Sequence, residues 1–331
     1  MAAKVTIKTI AGDLGISHMT VSRALSGHPN VSAETRRLVS DHARALGYVK
    51  SAAATAMRGE GSRIIGLLLP NLSNAFYARF ANDFAALCSE RGIDPVIHLT
   101  DDSEVKEQAA LRRLRALQVR AVVTVPSPRD DTLNDRVPLD GMQVIQMIRH
   151  RDEPVETASL DLDDAAAIRQ AVAHLARRGC RRIAYIGAPH GFSSGRSRLG
   201  AYVAGMQQAG LAPSDALIRT ARPSFRMGAA SVASLLEDAG PDALVCGGFE
   251  ISDGALDVVL TRGIAMPTEL AFVGYGDPSF YRYISGGVTT IALPVADLTA
   301  DAVALADSIL AGEPARPMPP RAATLTLRGT A

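Results

Sequence analysis

The chain has 331 residues, 47% of them hydrophobic and 21% charged, with a formal net charge of +1. That length holds two or three domains, and that mixture suits a soluble globular protein rather than a fibrous or disordered one. No apolar run is long enough to cross a bilayer, Ile64–Leu69 being among the longest, and Met1–Lys8 lacks the apolar core of a secretion signal, so the chain is expected in the cytoplasm with no membrane partner.

Two short helices open the chain. Ile7, Ile10, Ala11 and Leu14 recur at helical spacing and give one apolar face. Gly15 follows, where a left-handed residue ends a helix without steric cost. Ser17 is placed to cap a second helix, whose inward face is Val21, Ala24 and Leu25. His18, Met19, Thr20, Ser22 and Arg23 then point elsewhere. That pattern predicts a helix-turn-helix DNA reader, although an ordinary helical hairpin shares it. A third helix follows, capped by Ser32, with Leu38, Val39, Ala43 and Leu46 on its apolar side and Gly47 at its end. Residues 1–60 carry eight lysines and arginines against four acidic residues, a surplus of four that leaves the remainder at −3. A basic head on a near-neutral body fits nucleic-acid binding, and a solvated basic helix face gives the same count.

Beyond residue 60 strand-like and helix-like segments alternate. Strands are expected at Ile64–Leu69, Pro95–Leu99, Ala121–Val125, Val144–Met147, Ile183–Ile186, Ala243–Cys246 and Leu270–Val273. Most are continuous apolar runs, as in strands covered on both faces. Helices are expected at about 75–91, 104–117, 164–178, 196–209, 227–238, 251–262 and 295–311, with Gly92, Gly179, Gly210 and Gly263 just past four of them. Repeated βα units make parallel, doubly wound sheets. The polar stretch Glu156–Asp164 separates two similar series, which gives two subdomains with a cleft between them. The loops 70–76, 126–131, 148–152, 188–198, 247–250 and 274–281 would line that cleft. No phosphate-cradling glycine loop, zinc spacing or nucleophile elbow stands out, so neither a catalytic constellation nor a metal or other cofactor is expected. Cys88, Cys180 and Cys246 are widely spaced and read as free thiols.

Taken together, the chain resembles the LacI/GalR family of bacterial transcriptional regulators. The resemblance rests on Thr20-Val-Ser-Arg-Ala-Leu25, Val31-Ser-Ala-Glu-Thr-Arg36, Leu46-Gly-Tyr48 and Ile65-Gly-Leu-Leu-Leu-Pro70 in the first part of the chain. Further along it rests on His174-Leu-Ala-Arg-Arg-Gly179, Arg182-Ile-Ala-Tyr-Ile-Gly187, Val273-Gly-Tyr275 and Thr289-Thr290. It implies a helix-turn-helix head over residues 1–48, a hinge helix over 49–61 and a periplasmic-binding-protein-like body over 62–331. That body would be an α/β pair of doubly wound subdomains, with the chain recrossing near 288–294. It also implies a homodimer, or a dimer of dimers, that binds a pseudo-palindromic operator under the control of a small-molecule effector. Repression is the commoner family outcome. A ligand-binding protein without DNA regulation would share the body but has no use for residues 1–60.

The resemblance places base reading on His18, Met19 and Arg23. Arginine can pair bidentately with a guanine edge, and methionine offers only apolar contact. Thr6, Ser17, Thr20, Ser22, Ser32 and Thr35 suit phosphates. In the hinge, Met57 stands where most relatives carry a minor-groove leucine, flanked by Ala54 and Arg58. In the body, Arg198 matches a ligand-gripping arginine, with Arg196 and Arg149 near it. Phe76, Tyr77 and Phe249 are candidates to stack on the ligand. Cys246-Gly-Gly-Phe249 and Gly276 replace the acceptor side chains of sugar-binding relatives, with Asp277 next in line. Arginines kept while acceptors are lost predict an acidic effector, a sugar acid or sugar phosphate, over a neutral sugar.

Overall fold

The computed structural model describes residues 5–48, 63–133, 135–151, 157–314, 316 and 318–331. The chain divides into two compact units, Met1–Ser62 and Arg63–Ala331. The hinge expected over 49–61, with Ala54, Met57 and Arg58, lies outside the described residues.

The first unit holds α1 (Ile7–Leu14), α2 (His18–Leu25) and α3 (Ala33–Ala45). A hydroxyl opens each helix. Thr6 Oγ1 accepts the Thr9 amide at 3.2 Å, Ser17 Oγ that of Thr20 at 3.0 Å, and Ser32 Oγ that of Thr35 at 3.1 Å. Each cap satisfies a donor that the helix cannot satisfy itself. Ile10, Ala11, Val21, Ala24, Val31, Val39 and Ala43 form the buried core. Leu38 departs from expectation and is 54% exposed. Val39, Ala43 and Leu46 already set the inward face at helical spacing, and Leu38 is rotated by about 100° from it. Arg36 donates to the carbonyls of His28 and Val31 at 3.1 and 3.3 Å, which fastens the α2–α3 loop. His42 Nε2 lies 3.0 Å from Asp13 Oδ2 and ties α3 to α1.

Gly15 has φ +66°, so the α1–α2 turn depends on a conformation that a Cβ opposes. Gly15→Ala should destabilise this small domain by about 1 kcal/mol and speed hydrogen exchange of the Val21 amide about fivefold. Unchanged exchange would contradict the strained turn.

The second unit begins with β1 (Ile64–Leu69), α4 (Ala75–Glu90), β2 (Asp94–Leu99), α5 (Glu104–Ala116), β3 (Ala121–Thr124), β4 (Gln143–Met147) and β5 (Thr157–Leu160). These strands form one parallel sheet in the order β2-β1-β3-β4-β5. The stretch around Glu156–Asp164 is therefore more than a connector. Its residues 157–160 are the last strand of the first sheet, and the chain passes to the second half at 161–164.

The second half comprises β6 (Leu162–Asp163), α6 (Ala165–Arg177), β7 (Ile183–Gly187), α7 (Ser193–Gln208), β8 (Ile218–Thr220), α8 (Phe225–Asp238), β9 (Ala243–Cys246), α9 (Phe249–Thr261), β10 (Ala271–Tyr275) and β11 (Thr289–Ala292). After it come α10 (Val295–Leu310), β12 (Arg321–Ala322) and β13 (Thr324–Thr326). Its sheet has the order β13-β11-β10-β9-β7-β8, parallel except for β13 against β11. β12 pairs with β6.

Helix α10 belongs to the first half. Its Leu298, Ala302, Val303, Ala306 and Ile309 pack in one core with Ile65, Leu67, Phe80 and Phe84. The chain thus crosses between halves after β5, again after β11, and again before β12 and β13.

Candidate nucleic-acid interface and ligand cleft

In α2 the inward residues Val21 and Ala24 are 0% and 2% exposed, while His18, Met19 and Arg23 stand on the outer surface. The caps of α1, α2 and α3 gather Thr6, Ser17, Thr20, Ser32 and Thr35 at helix N-termini. Thr20 Oγ1 lies 2.9 Å from Ser17 Oγ, and Thr35 Oγ1 lies 2.8 Å from Ser32 Oγ. Ser22 is half-buried. Helix N-termini offer amide donors and a favourable dipole to phosphates, so positioning groups and a candidate base-reading face share one small scaffold.

The cleft of the second unit is lined by loops at the carboxyl ends of the strands. Its innermost cavity, about 40 Å³, is bounded by Phe76, Tyr77, Arg149, Arg198, Phe249 and Glu250. Five of the seven residues expected in the effector site therefore come together. Arg196 lines a neighbouring cavity of about 360 Å³, and Asp277 lines another of about 480 Å³ on the side of Phe280 and Arg282.

Two arginines of the innermost cavity are matched by carboxylates. Arg198 Nε lies 2.6 Å from Asp164 Oδ2, its Nη1 donates to the Gly247 carbonyl at 3.1 Å, and its guanidinium stacks 4.4 Å above the Tyr275 ring. The Tyr275 hydroxyl donates to the same Asp164 oxygen at 2.5 Å. Burial alone would lower the Arg198 pKa, but Asp164 and Tyr275 hold it above the ordinary arginine value. Arg149 lies 2.5 Å from Asp102 and 4.4 Å above the Phe192 ring. Arg149 and Arg198 thus each stand against a carboxylate partner. Asp277 is likewise committed, with both oxygens gripping Arg328 at 2.6 and 2.8 Å. That pair anchors the C-terminal segment at Arg328.

The ring of Phe249 explains the glycine at 276. It lies 5.1 Å from Phe76 and 5.2 Å, edge-on, from Tyr275. A Cβ at Gly276, where φ is +84°, would come within 2.3 Å of that ring. Aromatic bulk at 249 and a missing side chain at 276 are one adaptation. Gly276→Ala should cost about 1–3 kcal/mol through overpacking, and less in a Phe249→Ala background. Thermal melts of the four chains check this, and equal costs in both backgrounds would show the two positions independent.

Glu250 carries no motif of its own, yet it faces the innermost cavity, 3.5 Å from the Asn71 amide. Burial pushes its carboxyl above the ordinary range. A charged residue directly after Phe249, at the start of a helix, was the available signal.

Behind the loop at 126–137 lies a second network absent from the expected site. Glu104 Oε1 receives Arg129 at 3.1 Å and Arg136 at 3.0 Å, and Oε2 receives the Asp130 amide at 2.5 Å. Burial alone would raise the Glu104 carboxyl, but Arg136, the Asp130 amide, Arg151 and Arg129 hold it below its ordinary 4.5. A lowered folded pKa contributes stability that is present above the unfolded value and lost as pH falls through the folded one. Melting temperature should therefore fall as pH drops below about 4.5, and Glu104→Gln should weaken that dependence while lowering stability at pH 7. An identical acid profile in the variant would rule this out.

All three cysteines are free, and burial pushes the Cys88 thiol up to about 11. Among the described residues no helix is long and apolar enough to cross a membrane.

Comparison with known proteins places both units. Residues 6–51 match bacterial regulatory proteins of the lacI family, and residues 172–331 match the periplasmic binding protein-like domain. The chain is 27% identical over 319 residues to the HTH-type transcriptional regulator GalR of Escherichia coli (strain K12), which covers 95% of this chain and 91% of GalR. It is 22% identical over 296 residues to catabolite control protein A of Staphylococcus aureus (strain Mu50), 89% of each chain. The lac repressor dimer bound to operator and the anti-inducer ONPF superposes with a TM-score of 0.82 at 21% identity, over 99% of both chains. The transcriptional regulator CelR–cellobiose complex superposes at 0.73 with 25% identity, over 99% of this chain and 100% of that one.

Proposed function

This chain belongs to the lacI family of bacterial regulatory proteins, and from that premise we propose that it is a cytoplasmic, dimeric, operator-binding repressor whose DNA affinity is set by a small carbohydrate-like molecule in the body cleft. The observation that carries the reading is the outer face of α2. Val21 and Ala24 hold the helix down, and His18, Met19 and Arg23 are left to meet base edges. The three capped N-termini supply the phosphate contacts that set register. Two heads at fixed spacing suit an inverted repeat, with Met57 of the intervening segment entering the minor groove at its centre.

Regulation follows from the crossings between halves. A ligand that binds the closed cleft more tightly than the open one shifts the halves, and with them the spacing of the heads. Only that difference in affinity can shift the equilibrium. The relatives support a regulator over a catalyst. Selection from a random DNA pool by the full chain should return an inverted repeat, and gel-shift affinity for it should fall steeply with salt. Recovered sequences without a common repeat, or binding indifferent to salt, would overturn the proposal.

A further inference from the structure

The innermost cavity, about 40 Å³, is too small for a hexose, and the adjoining space of about 360 Å³ has a different chemistry. Arg129, Arg149, Arg151 and Arg196 line it, together with His150, and no aspartate or glutamate does. The carboxylates stand behind the arginines. Asp102 holds Arg149 at 2.5 Å, Glu107 holds Arg151 at 2.9 and 3.0 Å, and Glu104 holds Arg129 at 3.1 Å. His150 Nε2 is 2.9 Å from Asp161. Each pair fixes a guanidinium group, and none of these carboxylates is part of the cavity lining. Arg196, on the surface of α7, donates to the His190 carbonyl at 2.7 Å and has no acidic partner among the described residues.

A further feature points to a bound anion. The N-terminus of α7 opens here through Gly191, Phe192 and Ser193, and no side chain caps it. Free helix amides favour an oxyanion.

We propose that this cavity binds an oxyanion group, carboxylate or phosphate, carried by the effector. Its hydroxyl-bearing part stays in this larger space beside Arg149, which also bounds the cavity of Tyr77 and Glu250. The inference rests on the effector-binding role of the cleft; it keeps Arg149 and Arg196 in the acidic specificity, adds Arg129 and Arg151, and leaves out Arg198.

The test uses the full chain at fixed ionic strength, with inorganic phosphate, D-glucose, D-gluconate and D-glucose 6-phosphate as probes. Phosphate should raise the melting temperature saturably over equal ionic strength of chloride. Its apparent affinity should fall about tenfold or more in Arg196→Glu and be largely kept in Arg196→Lys. Calorimetry should show either acidic sugar binding more tightly than D-glucose, if any sugar binds. Absence of a saturable phosphate effect overturns the site. So does an equal effect in Arg196→Glu, as expected of phosphate held at the head instead, and so does tighter binding of D-glucose. Operator binding by the wild-type chain in the same buffer tests the regulator reading separately.

Discussion

Asp164→Ala should destabilise the body by about 3–5 kcal/mol and lower its melting temperature by about 10 °C. Asp164 is 3% exposed and serves two buried partners with one oxygen, the Arg198 guanidinium at 2.6 Å and the Tyr275 hydroxyl at 2.5 Å. Its removal leaves a full charge without a counter-ion, held only by the Gly247 carbonyl and the Tyr275 ring. Burying a lone charge is far costlier than burying a matched pair. Asp164→Asn should cost less, because an amide can still accept from both partners. Asp164→Ala combined with Arg198→Met should recover much of the loss, since the uncompensated charge goes with the arginine. A melt of Asp164→Ala within 2 °C of wild type would show that water reaches the site and replaces the carboxylate.

Arg23→Ala should reduce operator affinity by about 1–3 kcal/mol for each head, hence about 2–6 kcal/mol for a two-headed complex. The loss should appear as relaxed preference at one base pair of each half-site, with binding to unrelated DNA much less affected. Arg23→Lys separates charge from geometry. Lysine keeps the attraction to phosphates but cannot reproduce a bidentate pair, so non-specific binding should survive while selectivity falls. Gel shifts on selected and scrambled operators read both quantities. A uniform loss on every sequence would reassign Arg23 to the phosphate backbone.

Much of the fold was legible because its signals are local. Gly15, Ser17, Ser32 and Gly47 mark the ends of the three head helices by backbone requirements that depend on nothing distant. The apolar runs at Ile64–Leu69 and Ala243–Cys246 mark strands covered on both faces. Strands β5, β8 and β11 were not legible. Ser159, Arg219 and the pair Thr289-Thr290 interrupt any apolar run, and these segments are strands only because a neighbour offers its edge. Leu38 misled because helix periodicity fixes a face only to within about 100° when adjacent positions are both apolar.

The cleft divides in the same way. Sequence singled out Arg149, Arg196 and Arg198, because arginines near glycine-bearing loops carry a recognisable chemistry. It missed Asp102, Glu104 and Glu107, which come from the start of α5 and the loop before it, far along the chain from the arginines they hold. It also missed that Phe249 and Gly276, 27 positions apart, share one volume. Charge balance and shape are properties of contacts, and no spacing in the sequence encodes them.

Helix α10 has a consequence for how the protein is made. One face of the first sheet, with Ile65, Leu67 and Leu69, is covered jointly by α4 and α10. The ribosome releases α4 early and α10 only after the entire second half except its last two strands. During synthesis the head can fold at once, and the second half can close most of its core. The first half must wait, with leucines and phenylalanines uncovered, for a helix that begins at Val295. At about 5–20 residues per second the delay between Leu160 and Leu310 is on the order of ten seconds. The nascent chain is therefore most vulnerable to aggregation in that interval, when its N-terminal subdomain is translated but unfinished.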